Sequence, residues 1–365
     1  MRIPYALQLV FSTGFNFVYR LLPAYLTKFS GSAAEIGLVG AAYSAGKVLR
    51  ILLAPIIDRF GAERAALASL VLLAPVVVGA AFANSILAFV LAFLGIGVLN
   101  GVFYTALTSL VSREARKTEG LFRLEGMYQL GLVAGPLAGG VIAVRWGVPM
   151  AFLAWAALCV VSIALGVGLV RTRTEIRAER IGLARWRMLA PALVFGGFLA
   201  GMFSFALDLA LPIALSRAGL DIGVIGLVIG GAALISAAAM FGLGRRLEGR
   251  PHRWLLAVTM AGMGVPMALL AVVANILLII PLVGIAYVGR ITALNSGRAM
   301  VAARLPAGSH ARGMGVLDTV FSVGQMVGPV AAGLLIDLFG TGTAFVALGG
   351  FFVAAGVAAL AVHKA

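Results

Sequence analysis

Apolar residues run through the chain in twelve long windows, at roughly 3–27, 33–57, 65–83, 85–111, 120–143 and 147–170, then 189–215, 221–243, 254–273, 275–303, 313–337 and 342–362. Short turns rich in charge, glycine or proline separate them. About 20 helical residues cross the ~30 Å hydrocarbon core, whereas a membrane strand would alternate over about ten. The pattern therefore predicts an all-α membrane protein with twelve transmembrane helices. Met1-Arg2 ahead of an apolar run could pass for a secretion signal, but the run continues to about Thr27 without a small-residue cleavage site. It reads as the first span.

Composition agrees, with 62% hydrophobic and 11% charged residues against about 25% charged in a soluble domain. The net charge of +15 is distributed unevenly. Counting both termini, 20 of the 28 Lys and Arg residues fall on one side of the predicted spans, in stretches such as "DRFGAER", "SREARKTEGLFR" and "RTRTEIRAERIGLARWR". Only Lys28, Arg145 and Arg217 fall on the other, and five lie inside spans. The positive-inside rule places both termini in the cytoplasm of a multi-pass protein of the cell membrane. This asymmetry explains the high pI without nucleic acid as a partner. The single cysteine, Cys159, excludes an intrachain disulfide, and His252, His310 and His363 lack metal-ligand spacing, so no metal is assigned.

Internal repetition divides the chain into residues 1–170 and 189–365, six spans each, joined by a basic cytoplasmic linker at 171–188. "EIGLVG" at 35–40 answers "VIGLVI" at 224–229, and Pro23 answers Pro212, both at an offset of 189. "GLVAGPLAGG" at 131–140 answers "GQMVGPVAAG" at 324–333 at an offset of 193, which also sets Glu125 against Asp318.

Six plus six spans, a basic central loop, a charged turn after the second span and Gly-Pro motifs in the fifth and eleventh together resemble the major facilitator superfamily over essentially the whole chain. The family's loop after span two follows G-x-x-x-D-R-x-G-R-R. Asp58, Arg59 and Gly61 match it, Ala54 replaces the first glycine, and Arg64 comes one place after the usual basic pair. The resemblance implies a gating role for this turn, in which Asp58 accepts from a facing helix N-terminus and Arg59 pairs across the halves. Gly135 and Pro136, repeated as Gly328 and Pro329, allow close helix approach and bending. The span-five version of this motif is associated in the family with antiporters and exporters.

Charge inside the spans suggests what is carried. A cation at the centre of a transmembrane helix costs about 2.5 to 3.5 kcal/mol on insertion scales, so it must face a partner, a cavity or an interface. Lys47 and Arg290 lie near midplane, Arg20 lies outward of it, and Arg50 and Arg298 lie closer to the cytoplasm, with Arg298 expected to snorkel. Helical spacing sets these cations on polar stripes. The stripes comprise Ser12, Asn16, Tyr19 and Arg20; Tyr43, Lys47 and Arg50; Asn100, Tyr104 and Thr108; Ser204 and Asp208; Tyr287 and Arg290; and Asp318, Ser322 and Gln325. Against five cations stand three acids, Asp208, Glu125 and Asp318. A site with surplus positive charge is completed by an anion, while Asp208 paired with Arg20 or Arg290 as a structural bridge is the alternative.

The resulting expectation is a secondary transporter for a small organic anion, working by alternating access, with export slightly favoured. No Walker motif is present, so proton coupling is the expected energy source, with Asp208 as first candidate and Asp318 and Glu125 after it. The lipid bilayer, the solute and protons are its partners. Neither a cofactor nor an enzymatic activity is expected. The alternatives are a multidrug/proton antiporter for lipophilic cations and a non-transporting membrane sensor or scaffold.

Overall fold

The computed structural model describes residues 3–111, 117–168, 189–247, 252–305 and 310–361, and no described residue is in a strand. The helices are α1 (Ile3–Val18), α2 (Leu22–Leu26), α3 (Ala33–Phe60), α4 (Ala62–Ala81), α5 (Ile86–Val111), α6 (Lys117–Trp146) and α7 (Val148–Val167). A π-helical stretch, Ala192–Leu199, leads into α8 (Ala200–Arg217), followed by α9 (Ile222–Leu247), α10 (His252–Leu269), α11 (Ile276–Arg304) and α12 (His310–Ala361). Among the described residues each predicted apolar window is helical over most of its length, since in lipid intra-helical pairing is what satisfies an isolated segment's backbone. Among the described residues, eight helical stretches are long and apolar enough to cross a membrane by length and composition alone.

Two windows are built differently from their prediction. The first is broken: α1 stops at Val18, three residues turn, and α2 restarts with Pro23 in its first turn. Proline lacks an N–H, so it is tolerated where a helix begins and not within one. The last two windows are joined as α12 and separated only at Gly340, whose φ of 81° interrupts the helix. The basic linker lies outside the described residues.

The chain forms two compact units. One holds Met1–Gly31, Leu38–Glu175 and Pro212–Ala233, the other Ser32–Gly37, Ile176–Leu211 and Leu234–Ala365. Helices α3, α8 and α9 each contribute to both. In the first unit α1 packs on α6 and α7, and α4 on α5 and α7. Its core is aromatic: Phe11, Phe15, Phe93, Phe103, Phe152 and Trp155 are all buried. In the second, α10 packs on α11 and α12, with Met260, Met263 and Met267 buried and Phe203 set edge-on to Phe352. Many large apolar side chains point outward, including Leu72, Phe82, Leu91, Val160, Leu278 and Leu338. Buried polar and exposed apolar residues together suit a lipid solvent.

Glycine sets the close approaches. A methyl at Gly131 would overlap Ser12, one at Gly135 would lie 2.5 Å from the Asn16 Cβ, and one at Gly139 would overlap the Phe17 carbonyl. α6 therefore lies close against α1, with no room for a side chain of its own at these three positions. In the second unit Gly324 and Gly328 do the same for α12 against Phe198 and Met202.

Candidate functional site

Most side chains on the expected polar stripes are among the described residues, and glycine contacts set several of them close to a neighbouring helix. In the first unit, Gly46 faces the Leu94 carbonyl and Gly97 the Tyr43 carbonyl, so α3 and α5 run backbone to backbone. That approach lets the Asn100 amide donate to the Tyr43 hydroxyl. One turn further along α3, the Lys47 ammonium lies 5.7 Å from the centre of the Tyr43 ring. The ring face is electron-rich, and a desolvated cation gains up to about 2 kcal/mol from such a contact.

Tyr43 belongs to an aromatic group with α1. Its ring is 5.3 Å from Phe15 and 5.0 Å from Tyr19, and Tyr19 stacks on Phe15 at 4.6 Å. Phe15 and Tyr19 are four residues apart, one helical turn, and Phe15 is the member of this group that lies off the polar stripes. Asn16 is fully buried and donates to the Ser12 carbonyl at 2.8 Å. Arg20 falls in the break between α1 and α2 and is only 2% exposed. The first span thus stops being helical where it carries its cation.

Toward the other end of α5, the Tyr104 hydroxyl donates to Glu125 at 3.4 Å and the Gln129 amide donates to the same carboxylate at 3.3 Å. Gln129 went unrecognised, although its place one turn after Glu125 is the spacing of a helical side-chain pair. Thr108 donates back to the Tyr104 carbonyl within its own helix.

In the second unit, Gly196 of the π-helical stretch faces Gly297 of α11. About two turns along this antiparallel pair, Arg290 donates to the Ser204 hydroxyl at 3.1 Å. The Tyr287 hydroxyl donates to Asp208 at 3.4 Å, and Arg290 lies 5.7 Å from the Tyr287 ring centre. Arg290 and Asp208 are 7% and 6% exposed. Gln325 and Ser322 are buried on α12, where Ser322 donates to the Asp318 carbonyl.

Arg298 pairs with Asp318 at 3.3 Å, because α11 and α12 set the two side chains side by side. Both are about a quarter exposed, so solvent screening holds the pair near the 0 to 1 kcal/mol of surface bridges. The repeat places Arg298 close to the counterpart of Tyr104, and Asp318 at that of Glu125.

Of the gating candidates, Gly61 precedes α4 with φ of 88°, a conformation glycine adopts without strain, and Arg64 is exposed on the first turn. The side chains of Arg50, Asp58 and Arg59 lie outside the described residues. Pro136 and Pro329 sit inside α6 and α12. Among the described residues no group of three or more His, Cys, Asp or Glu side chains could hold a metal ion.

Buried polar stripes on apolar helices, arranged as a sequence repeat, define a polytopic membrane protein of the solute-transporter class. Residues 5–190 and 193–364 match the Major Facilitator Superfamily, and the chain belongs to that family. Its fold is shared with the nucleoside transporter NupG, in a point-mutant crystal structure, at a TM-score of 0.84 and 13% identity, covering 99% of each chain. A POT family transporter in complex with 5-aminolevulinic acid matches with a TM-score of 0.83 and 12% identity, covering 99% of this chain and 95% of the other. Another POT structure, holding a thioalcohol-conjugated peptide, matches at 0.82 and 11% with the same coverage. No curated protein sequence matches the chain.

Proposed function

We propose that this membrane transporter carries a small organic anion by alternating access, coupled to protons, with the two six-helix repeats as its moving parts and both termini in the cytoplasm. The observation that carries the reading is the placement of Arg20, Lys47 and Arg290 well inside the spans, where Asp208 is the acid farthest from a span end. Arg20 and Arg290 are deeply buried, and Lys47 and Arg290 each keep a tyrosine ring and neutral hydroxyl or amide groups close by. Tyrosine rings and neutral donors and acceptors help hold a cation within a span, and an anionic solute would complete the charge balance. The fold relatives, a nucleoside transporter and POT proteins holding a peptide or 5-aminolevulinic acid, support a small organic solute as cargo. The span-five motif, on α6, favours export.

The test is uptake into proteoliposomes of anionic and cationic solutes, with and without a pH gradient. Transport of lipophilic cations but not anions would replace this reading with that of a multidrug antiporter. Asp208 is assigned the coupling proton. It shares its surroundings with Tyr287, Ser204 and Arg290, so a change in its protonation alters the charge beside the proposed anion site. In Asp208→Asn, transport should continue at a reduced rate but stop responding to a pH gradient, because the amide resembles the protonated acid yet releases no proton. A parent-like response would transfer the role to Glu125.

A further inference from the structure

Two glycine-lined helix junctions in the molecule are related by the repeat. In the second unit the first turn of α3 lies on α12: a methyl at Gly37 would come within 2.5 Å of the Pro329 carbonyl oxygen, and one at Gly333 within 2.5 Å of that of Ala33. In the first unit the first turn of α9 lies on α6 in the same way, Gly226 facing the Pro136 carbonyl and Gly140 facing Gly223. The same offsets that match Gly37 with Gly226 and Gly333 with Gly140 also match Asp337 with Val144, and Ser32 with Asp221.

Here the junctions differ. At α9 the leading N–H groups are satisfied within the same helix, Asp221 accepting from Gly223 at 2.7 Å and Val224 at 3.1 Å, while Val144 offers only a methyl group against Gly223. At α3 the carboxylate comes from the other helix. Asp337 accepts from the Ala33 N–H at 2.7 Å, the Ala34 N–H at 2.9 Å and the Ser32 hydroxyl at 2.7 Å. Ser32 in turn accepts from the Glu35 N–H. The first N–H groups of a helix have no partner of their own and carry the positive end of its dipole, so a carboxylate there makes charge-assisted bonds.

We infer that Asp337 is a gate-positioning residue, a clasp that holds the first turn of α3 on α12, while the α9–α6 junction is self-capped and parts freely. This rests on the alternating-access reading, in which helix ends must separate. Parting α9 from α6 exposes apolar surface but strips no hydrogen bond from a backbone N–H. Parting α3 from α12 removes the Asp337 acceptor from two N–H groups and a hydroxyl together. The two junctions therefore open unequally, α3–α12 last.

The test needs neither a substrate nor a known orientation. In detergent-purified protein with Cys159→Ala, the reporter Ala33→Cys, at a fully buried position, is labelled with a maleimide. Ile222→Cys reports the sister junction. Asp337→Val, which copies Val144, should raise labelling at position 33 at least roughly tenfold, the low end for the loss of a single charge-assisted bond, and leave position 222 unchanged. Adding Ser32→Asp, which copies Asp221, restores a cap to α3 without restoring the clasp. Thermal stability should recover while labelling stays high. Parent-level labelling in Asp337→Val, or a rise that Ser32→Asp reverses, overturns the clasp and leaves a helix cap. If Asp337→Val does not fold, Asp337→Asn keeps one acceptor oxygen and should raise labelling severalfold; no rise there overturns the proposal equally. Because labelling does not depend on transport, its failure is distinct from failure of the anion reading.

Discussion

Lys47→Ala and Arg290→Ala are each expected to reduce anion transport to background while the protein still folds. Both cations lie on helices that otherwise bury apolar surface, and removing either relieves the desolvation cost of a membrane cation, which is why folding should survive. What is lost is the charge that would meet the solute. A charged hydrogen bond in such a site is worth about 1.5 to 3 kcal/mol, or roughly ten- to 150-fold in affinity. Solute binding measured by calorimetry, alongside uptake in proteoliposomes, separates lost affinity from lost turnover. Ser204→Ala, which leaves the Arg290 charge in place, should weaken transport far less. Parent-like transport in both cation variants would defeat the anion-site reading.

Gly135→Val should have the largest effect on folding. The added side chain would enter the space of Asn16, where even a methyl is 2.5 Å from its Cβ, so α1 would have to move off α6. Overpacking of a side-chain core costs about 1 to 3 kcal/mol, and here a helix must shift because no side-chain rotation relieves the overlap. Gly126→Val on the same helix is the control, since nothing lies within 4 Å of a Cβ there. Yield of monodisperse protein and its melting temperature should collapse for the first and hold for the second.

The helical spans were legible because a bilayer leaves an isolated segment few alternatives, and the glycine spacing in α6 and α12 was legible because backbone approach requires it. The polar stripes could be read from helical period alone. Pairings between helices could not: nothing local to Arg298 announces Asp318 as its partner. The break at Tyr19–Leu21 was equally hidden, since Pro23 reads as a kink until α2 is seen to begin there. Asp337 ends a predicted apolar window, and its acceptor role depends on α3, some 300 residues away in sequence. The repeat did contain a usable signal, the exchange of Val144 for Asp337 and of Asp221 for Ser32, which gains meaning only once the junctions are seen.

Gly147 and Gly340 each join two long helices through a single residue, with φ of 85° and 81°. Such a connector bears on biogenesis. A connector of one residue leaves the two helices no slack, which favours their entering the bilayer together as a hairpin. The same economy leaves a protease no flexible strand to cut at either tip, so limited digestion of the inserted protein should spare both hairpins.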